Sequence, residues 1–217
     1  SDFITGDTWT TLADSSGTNV IQEVEGGALK ILAAATDDDD QGIESTKECF
    51  LHGATKSIVF ETRMKFTELN TDDANVMFGL MNATAVGTAL LDAGAGPKVD
   101  SSHMVFWKKE GEVEWRVSSD VISGTVVSNT IDMRGVASAG DGVYRTFRIE
   151  YEPGPTDGYV TFFVNGQQCR DKTTAVPIRQ KLTHSGATEM QIFAIVKPSS
   201  ANAEAIHLDY IGCYQAR

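Results

Sequence analysis

Residues 144–170 read YRTFRIEYEPGPTDGYVTFFVNGQQCR, and this stretch decides the fold class. Phe147, Ile149 and Tyr151 alternate with Arg148, Glu150 and Glu152. A period of two sends the apolar set to one face of a strand and the charged set to the other. Pro153, Gly154, Pro155, Asp157 and Gly158 then interrupt the pattern, since proline lacks a ladder donor and glycine reaches positive φ. Tyr159–Val164 is an aromatic and β-branched second strand. It ends in Asn165-Gly166, the dipeptide best suited to a two-residue type I′ hairpin turn.

The same signals recur outward from this hairpin. In Ile58–Phe66, Ile58, Phe60, Met64 and Phe66 face one way, while Val59, Glu61, Arg63 and Lys65 face the other. Asn75–Met81 and Met190–Val196 are nearly all apolar, as strands buried on both faces are. Val20–Val24 and Ala28–Ala33 flank a turn at Glu25-Gly26-Gly27, His103–Trp107 and Glu112–Val117 flank Lys108–Gly111, and Ile206–Tyr214 closes the chain. Val121–Met133 carries one or two further short strands. Helical periodicity and fixed-period repeats are absent, and roughly ten to fourteen short strands at even spacing predict a sandwich or jelly roll. The expectation is an all-β, single-domain antiparallel β-sandwich over residues 19–217, with a polar arm at 1–18. Ala83–Ser102 is a long loop rich in Ala, Gly and Asp. Loops of that length tend to be functional, which makes it a candidate contact surface.

The 217 residues carry 18 Lys+Arg against 30 Asp+Glu, a net charge of −12. That balance argues against a nucleic-acid footprint, which needs clustered positive charge, and against anionic membranes. No apolar run reaches the length of a membrane span, and Ser1–Trp9 lacks the basic and apolar regions of a signal peptide. Cys49, Cys169 and Cys213 are three and widely spaced. This predicts free thiols made in a reducing compartment, with neither a disulfide framework nor a zinc site. Asn82-Ala83-Thr84 matches the glycosylation sequon, a triplet that also arises by chance.

The pattern Arg-x-Phe-Arg-Ile-Glu-Tyr … Gly-Tyr-Val-x-Phe-Phe-Val-Asn-Gly, with Ile58–Leu80 and Ile206–Tyr214, resembles the concanavalin A-like lectin/glucanase β-sandwiches, including laminin G-like modules. The resemblance implies a fold and brings sugar binding or glycan cleavage as candidate functions. The glucanase branch has a Glu-x-Asp-x-x-Glu strand. The nearest stretch here is Glu110-Gly-Glu112-Val-Glu114-Trp115, which lacks the aspartate and the third acid. On a strand, Glu112 and Glu114 would share a face roughly 7 Å apart, which makes them a candidate ligand-binding pair; an exposed strand face is the plainer account. The Arg-rich and Gln-x-His strands of lyase-type sandwiches are missing, so the chain is expected not to be an enzyme.

Trp107 and Trp115 lie on opposing arms of one predicted hairpin. A cross-strand pair on one face would make a sugar platform, and burial in the core is the competing account, because large aromatics are usually buried. Asp37, Asp38, Asp39 and Asp40 form the densest charge run. It reads as a solvated loop or as a calcium site, since hard cations collect carboxylate oxygens from flexible loops. The long polar appendages and the missing active site are similar in layout to tailed-bacteriophage virion proteins. They lead to the expectation of a capsid decoration protein on the virion exterior, made in the host cytoplasm. Its partners would be capsid proteins and further copies of itself, for instance as a trimer. The alternative is a carbohydrate-binding module whose partner is a glycan.

Overall fold

A computed structural model describes residues 8–14, 16–22, 27–68, 73–92, 95–122, 127–132 and 139–216. In chain order the strands are β1 (Trp9–Ala13), β2 (Thr18–Gln22), β3 (Ala28–Leu32), β4 (Gln41–Ser45), β5 (Ile58–Thr67) and β6 (Ala74–Met81). They continue with β7 (Leu90–Leu91), β8 (Gly96–Pro97), β9 (His103–Lys108), β10 (Trp115–Asp120), β11 (Val127–Thr130) and β12 (Arg145–Glu152). The last are β13 (Asp157–Val164), β14 (Gln167–Gln168), β15 (Arg179–Thr183), β16 (Gln191–Pro198) and β17 (Ala205–Gln215). A seven-stranded sheet runs β1-β4-β16-β6-β9-β10-β11 and an eight-stranded sheet β14-β13-β12-β5-β17-β3-β2, with β15 also on β13. Every named pairing is antiparallel. The protein is a two-sheet all-β sandwich.

The deciding hairpin forms as its pattern requires. In β12 every second residue is buried, and Phe147 pairs with Val164 while Tyr151 pairs with Val160. Asn165 and Gly166 sit at φ 50° and 76°, both in the left-handed region that a type I′ turn demands and that glycine adopts freely. β5 alternates without a break, and β6 is buried throughout. Between the sheets Phe78, Phe106, Trp115, Phe147 and Phe162 pack edge to face and stacked at centroid distances of 4.9–5.6 Å. These separations lie in the range where aromatic pairs gain energy beyond area burial.

Several boundaries differ from expectation. Within the 1–18 arm, Trp9–Ala13 is an edge strand against β4, with Leu12 buried; residues 1–7 lie outside the described residues, as do Glu25 and Gly26 of the expected turn and Met133 at the end of the expected 121–133 strands. β10 begins at Trp115, so Glu112 and Glu114 precede it. Arg179–Thr183, polar by composition, is a strand because β13 offers it a full register partner. The 83–102 loop contains a short hairpin, β7–β8. Its extended pieces are too brief for a period of two to show.

Candidate functional site

The site is built on the outer face of the seven-stranded sheet. Strand alternation sends Val76, Phe78 and Leu80 of β6 into the core and leaves Met77 and Met81 facing out. The outward face also carries Val105 and Trp107 of β9 and Phe193 and Ile195 of β16. An apolar face of this size rarely stays in water, and the segment 82–102 lies over it, adding Ala89 and Leu90 to the same cluster. The outer face is therefore a second, covered core.

The covering segment is held by polar ties. Asn82 N–H donates to the Ser102 carbonyl at 3.1 Å, and Ser102 N–H donates to Asn82 Oδ1 at 2.8 Å, closing its base. Thr84 joins a network with Glu44 and Gln191, and Gly87 N–H donates to Asp40. Lys197 Nζ, from the sheet, lies 3.2 Å from Asp40 and 2.5 Å from Asp92 of the segment. Burial opposes the charge on Lys197, yet its hydrogen bond to Asp92 and the nearby Asp40 carboxylate hold its pKa above the ordinary value. Burial pushes the Asp40 carboxyl up; the ion pair is the state that the close contact of two fully buried groups supports.

The aspartate run is thus mainly structural. Asp37 is exposed and Asp38 sits at φ 60°. Asp39 is buried and accepts the Ala34 N–H at 3.2 Å, and Asp40 is buried against Lys197 and Gly87. A wholly solvated loop does not describe it, because Asp39 and Asp40 are buried and each turns one carboxylate oxygen toward a protein N–H. Among the described residues no group of three or more His, Cys, Asp or Glu side chains is placed to hold a metal ion.

The tryptophans do not form a pair on one face. Trp115 is in register with Lys108, and Trp107 with Arg116, so the two rings lie on opposite faces of the sheet. Trp115 is 1% exposed in the inter-sheet core. Trp107, 5% exposed, faces out beneath the covering segment. There Gly96, at φ +89°, approaches so closely that a Cβ would stand 2.9 Å from the indole ring. The two glutamates also separate. Glu112 grips Arg116 at 2.6–2.9 Å, and Glu114 pairs with Lys172 from the loop after β14. Each carboxylate is matched to its own cation.

What the fold assembles instead is a groove of about 410 Å³ at the margin of the covering segment. Pro97 and Val99 line one side, Lys109, Arg116 and Ser128 the other, with Trp107 beneath. The Arg116 guanidinium sits 5.4 Å from the Trp107 ring centroid, a cation–π contact. Of the sequence-based candidates, Trp107 lines this groove and Glu112 holds its arginine. Lys109, Arg116 and Ser128 were not candidates, because nothing local distinguishes them from exposed strand and turn residues. A more open concavity of about 390 Å³ on the eight-stranded sheet lies between Tyr210 and Tyr214. Three of its polar side chains are already engaged: Tyr210 O–H donates to Glu61 at 2.7 Å, and Arg148 lies 3.5 Å from Glu61 and pairs with Glu150.

Two histidine sites lie away from the groove. Tyr151 O–H donates to the Gly53 carbonyl at 2.8 Å and so accepts from His184 Nε2 at 2.7 Å; burial pushes its pKa up to about 12. At the end of the covering segment, Ser101 O–H donates to the Lys98 carbonyl at 2.8 Å. Ser101 Oγ therefore accepts from His103 Nδ1–H at 3.0 Å, and His103 Nε2 accepts from Ser118 O–H at 2.9 Å. The ring is neutral in this arrangement, and burial holds its pKa down to about 4. Because the folded value lies below the unfolded value of about 6.5, the unfolded chain binds the proton first. The stabilisation is complete above about pH 6.5 and is lost as pH falls toward 4. Between pH 7.5 and 4.5 the urea midpoint should drop by the equivalent of about 2–3 kcal/mol from this group alone. Burial raises the neighbouring Asp120 carboxyl, which works in the opposite sense, so the comparison is with His103→Asn. An equal loss in the variant would remove His103 as the cause.

No family model and no curated protein sequence matches the chain. Solved structures share its fold. It is similar to the carbohydrate recognition domain of Emp47p, with 12% identity, a TM-score of 0.60, and coverage of 97% of this chain and 90% of that one. It is similar to endo-1,3-beta-glucanase from Streptomyces sioyaensis at 13% identity and TM-score 0.63, covering 98% and 90%. Arcelin-5, a lectin-like defense protein from Phaseolus vulgaris, aligns at 12% identity and TM-score 0.60 over 99% and 95%. The sandwich has the concanavalin A-like lectin/glucanase fold.

Proposed function

We propose that this chain is a carbohydrate-binding module, with a glycan seated in the groove beside Trp107 and Arg116. The observation that carries the reading is the groove itself. It offers charged and hydroxyl groups opposite an apolar wall, the mix by which concave sites orient a polar ligand. Carbohydrate recognition domains and a glucanase among the proteins of the same fold support it. The pairing of Glu112 and Glu114 with separate cations favours binding without cleavage. A glycan array probed with the purified chain should give a defined set of ligands, lost in Arg116→Ala. A blank array, or hits indifferent to that substitution, would dismiss the groove.

A second reading, assembly into a particle such as a virion, is favoured by one feature. β2 is an edge strand of sequence TNVIQ, with no charge and with Val20 and Ile21 about half exposed. Bare edges of this kind invite a further strand. Light scattering that finds a trimer or larger assembly would support it, and a monomer would remove it.

A further inference from the structure

We infer that the ligand of the groove is an acidic glycan, one whose sugar rings carry carboxylate or sulfate groups. This rests on the glycan-binding reading and narrows it. The polar groups lining the groove are donors. Lys109 Nζ has three N–H donors and no ion pair among the described residues. Arg116 uses Nε and Nη2 on Glu112, which leaves both Nη1 donors unspent. The Trp107 Nε1–H is buried and has no hydrogen-bond partner among the described residues, although buried donors are nearly always satisfied. Ser128 adds a hydroxyl that can donate. Among the described residues no carboxylate lines the groove.

Such a lining matches an acceptor-rich ligand, and a planar guanidinium suits carboxylate and sulfate oxygens in particular. Charge gives the same answer. The chain as a whole carries −12 and repels polyanions at long range, yet two cations, Lys109 and Arg116, line this groove, and Glu112 pairs with Arg116. A neutral glycan held by stacking would need an open aromatic face. Trp107 cannot supply one, because Gly96 lies against its ring and Arg116 stands over it. The apolar wall of Pro97 and exposed Val99 is left for the C–H face of a sugar ring.

The geometry also names a tuning residue. Glu112 competes with the ligand for Arg116, so Glu112→Gln should release the guanidinium and tighten binding of an acidic glycan without touching it.

Three probes decide the matter by calorimetry at low and high salt: an oligogalacturonide (carboxylated), a heparin-derived oligosaccharide (sulfated) and a cello-oligosaccharide (neutral). At least one acidic probe should bind, weaken as salt rises, and lose roughly tenfold or more in affinity in Lys109→Glu. Glu112→Gln should strengthen it by roughly threefold or more. Lys109 has no partner to lose, so an unchanged urea midpoint in that variant confirms that it folds. Binding of the neutral probe alone, through Arg116, would overturn the acidic assignment and leave the glycan reading standing. Acidic binding insensitive to Lys109 and Glu112 would overturn the assignment to this groove. Silence from all three, together with a blank array, would end both.

Discussion

Replacing Lys197 with methionine is expected to lower the free energy of unfolding by about 3–5 kcal/mol at neutral pH. The Lys197 side chain is 1% exposed, and its Nζ neutralises a fully buried Asp40 and reaches Asp92 at 2.5 Å. Methionine fills the same stem volume but leaves Asp40, among the described residues, with the Gly87 N–H as its remaining partner. Breaking one side of a buried pair strands the other charge, which costs more than the intact pair contributes. Asp40, already pushed up by burial, would then take a proton, so the deficit should narrow as pH falls. Lys197→Met combined with Asp40→Asn should recover most of the loss, since the amide oxygen still accepts from Gly87 and no charge remains. The local effect matters as much as the global one. Gly87 and Asp92 belong to the covering segment, so limited proteolysis of the single variant should cut first within 82–92. Urea unfolding that shows a loss below about 1 kcal/mol would mean that the ion pair is not what holds the segment.

Phe147→Ala should cost about 3–5 kcal/mol. Phe147 is 1% exposed and lies 4.9 Å from Phe78, 5.2 Å from Phe106 and 5.3 Å from Trp115 by ring centroid. It therefore sits where β12 of one sheet meets β6, β9 and β10 of the other. Rings on three neighbouring strands of an antiparallel sheet cannot all shift inward to fill the hole, and a cavity that does not collapse carries the larger penalty. Phe147→Leu keeps most of the volume and should cost markedly less, near the range of volume-conserving swaps. Chemical denaturation of the two variants tests this directly. Equal losses would show that the ring geometry, and not the cavity, dominates.

These two positions also mark how far the sequence is legible. Phe147 announces itself: its strand alternates, its hairpin turn is Asn-Gly, and burial on one face follows from a period of two. The same logic places Phe60, Met64 and Phe66 inside and identifies β6 and β16 as buried on both faces. Lys197 announces nothing. It stands at the end of an apolar strand, where a lysine normally reaches for water, and its buried role depends on Asp40 and Asp92, which lie more than a hundred positions away in sequence. The aspartate run misleads for the same reason. Four adjacent acids look solvated, yet Asp39 turns in to the Ala34 N–H and Asp40 meets Lys197 of β16 and Gly87 of the covering segment.

The site divides along the same line. Trp107 and Glu112 stand out as an aromatic and an acid in one hairpin, but a one-residue difference in register decides whether Trp107 and Trp115 share a face. The observed pairing of Trp115 with Lys108 puts them on opposite faces. The sequence by itself determined the all-β class, the strands with clean alternation and the Asn165-Gly166 hairpin. All of these are local, because periodicity and turn chemistry act over a few residues. Only the tertiary structure decided that the covering segment closes over the outer sheet face, that Trp107 is covered, and that Lys109, Arg116 and Ser128 come together in a groove. Those outcomes depend on register and on long-range ion pairs, whose energies are set by burial and distance between residues far apart in the chain.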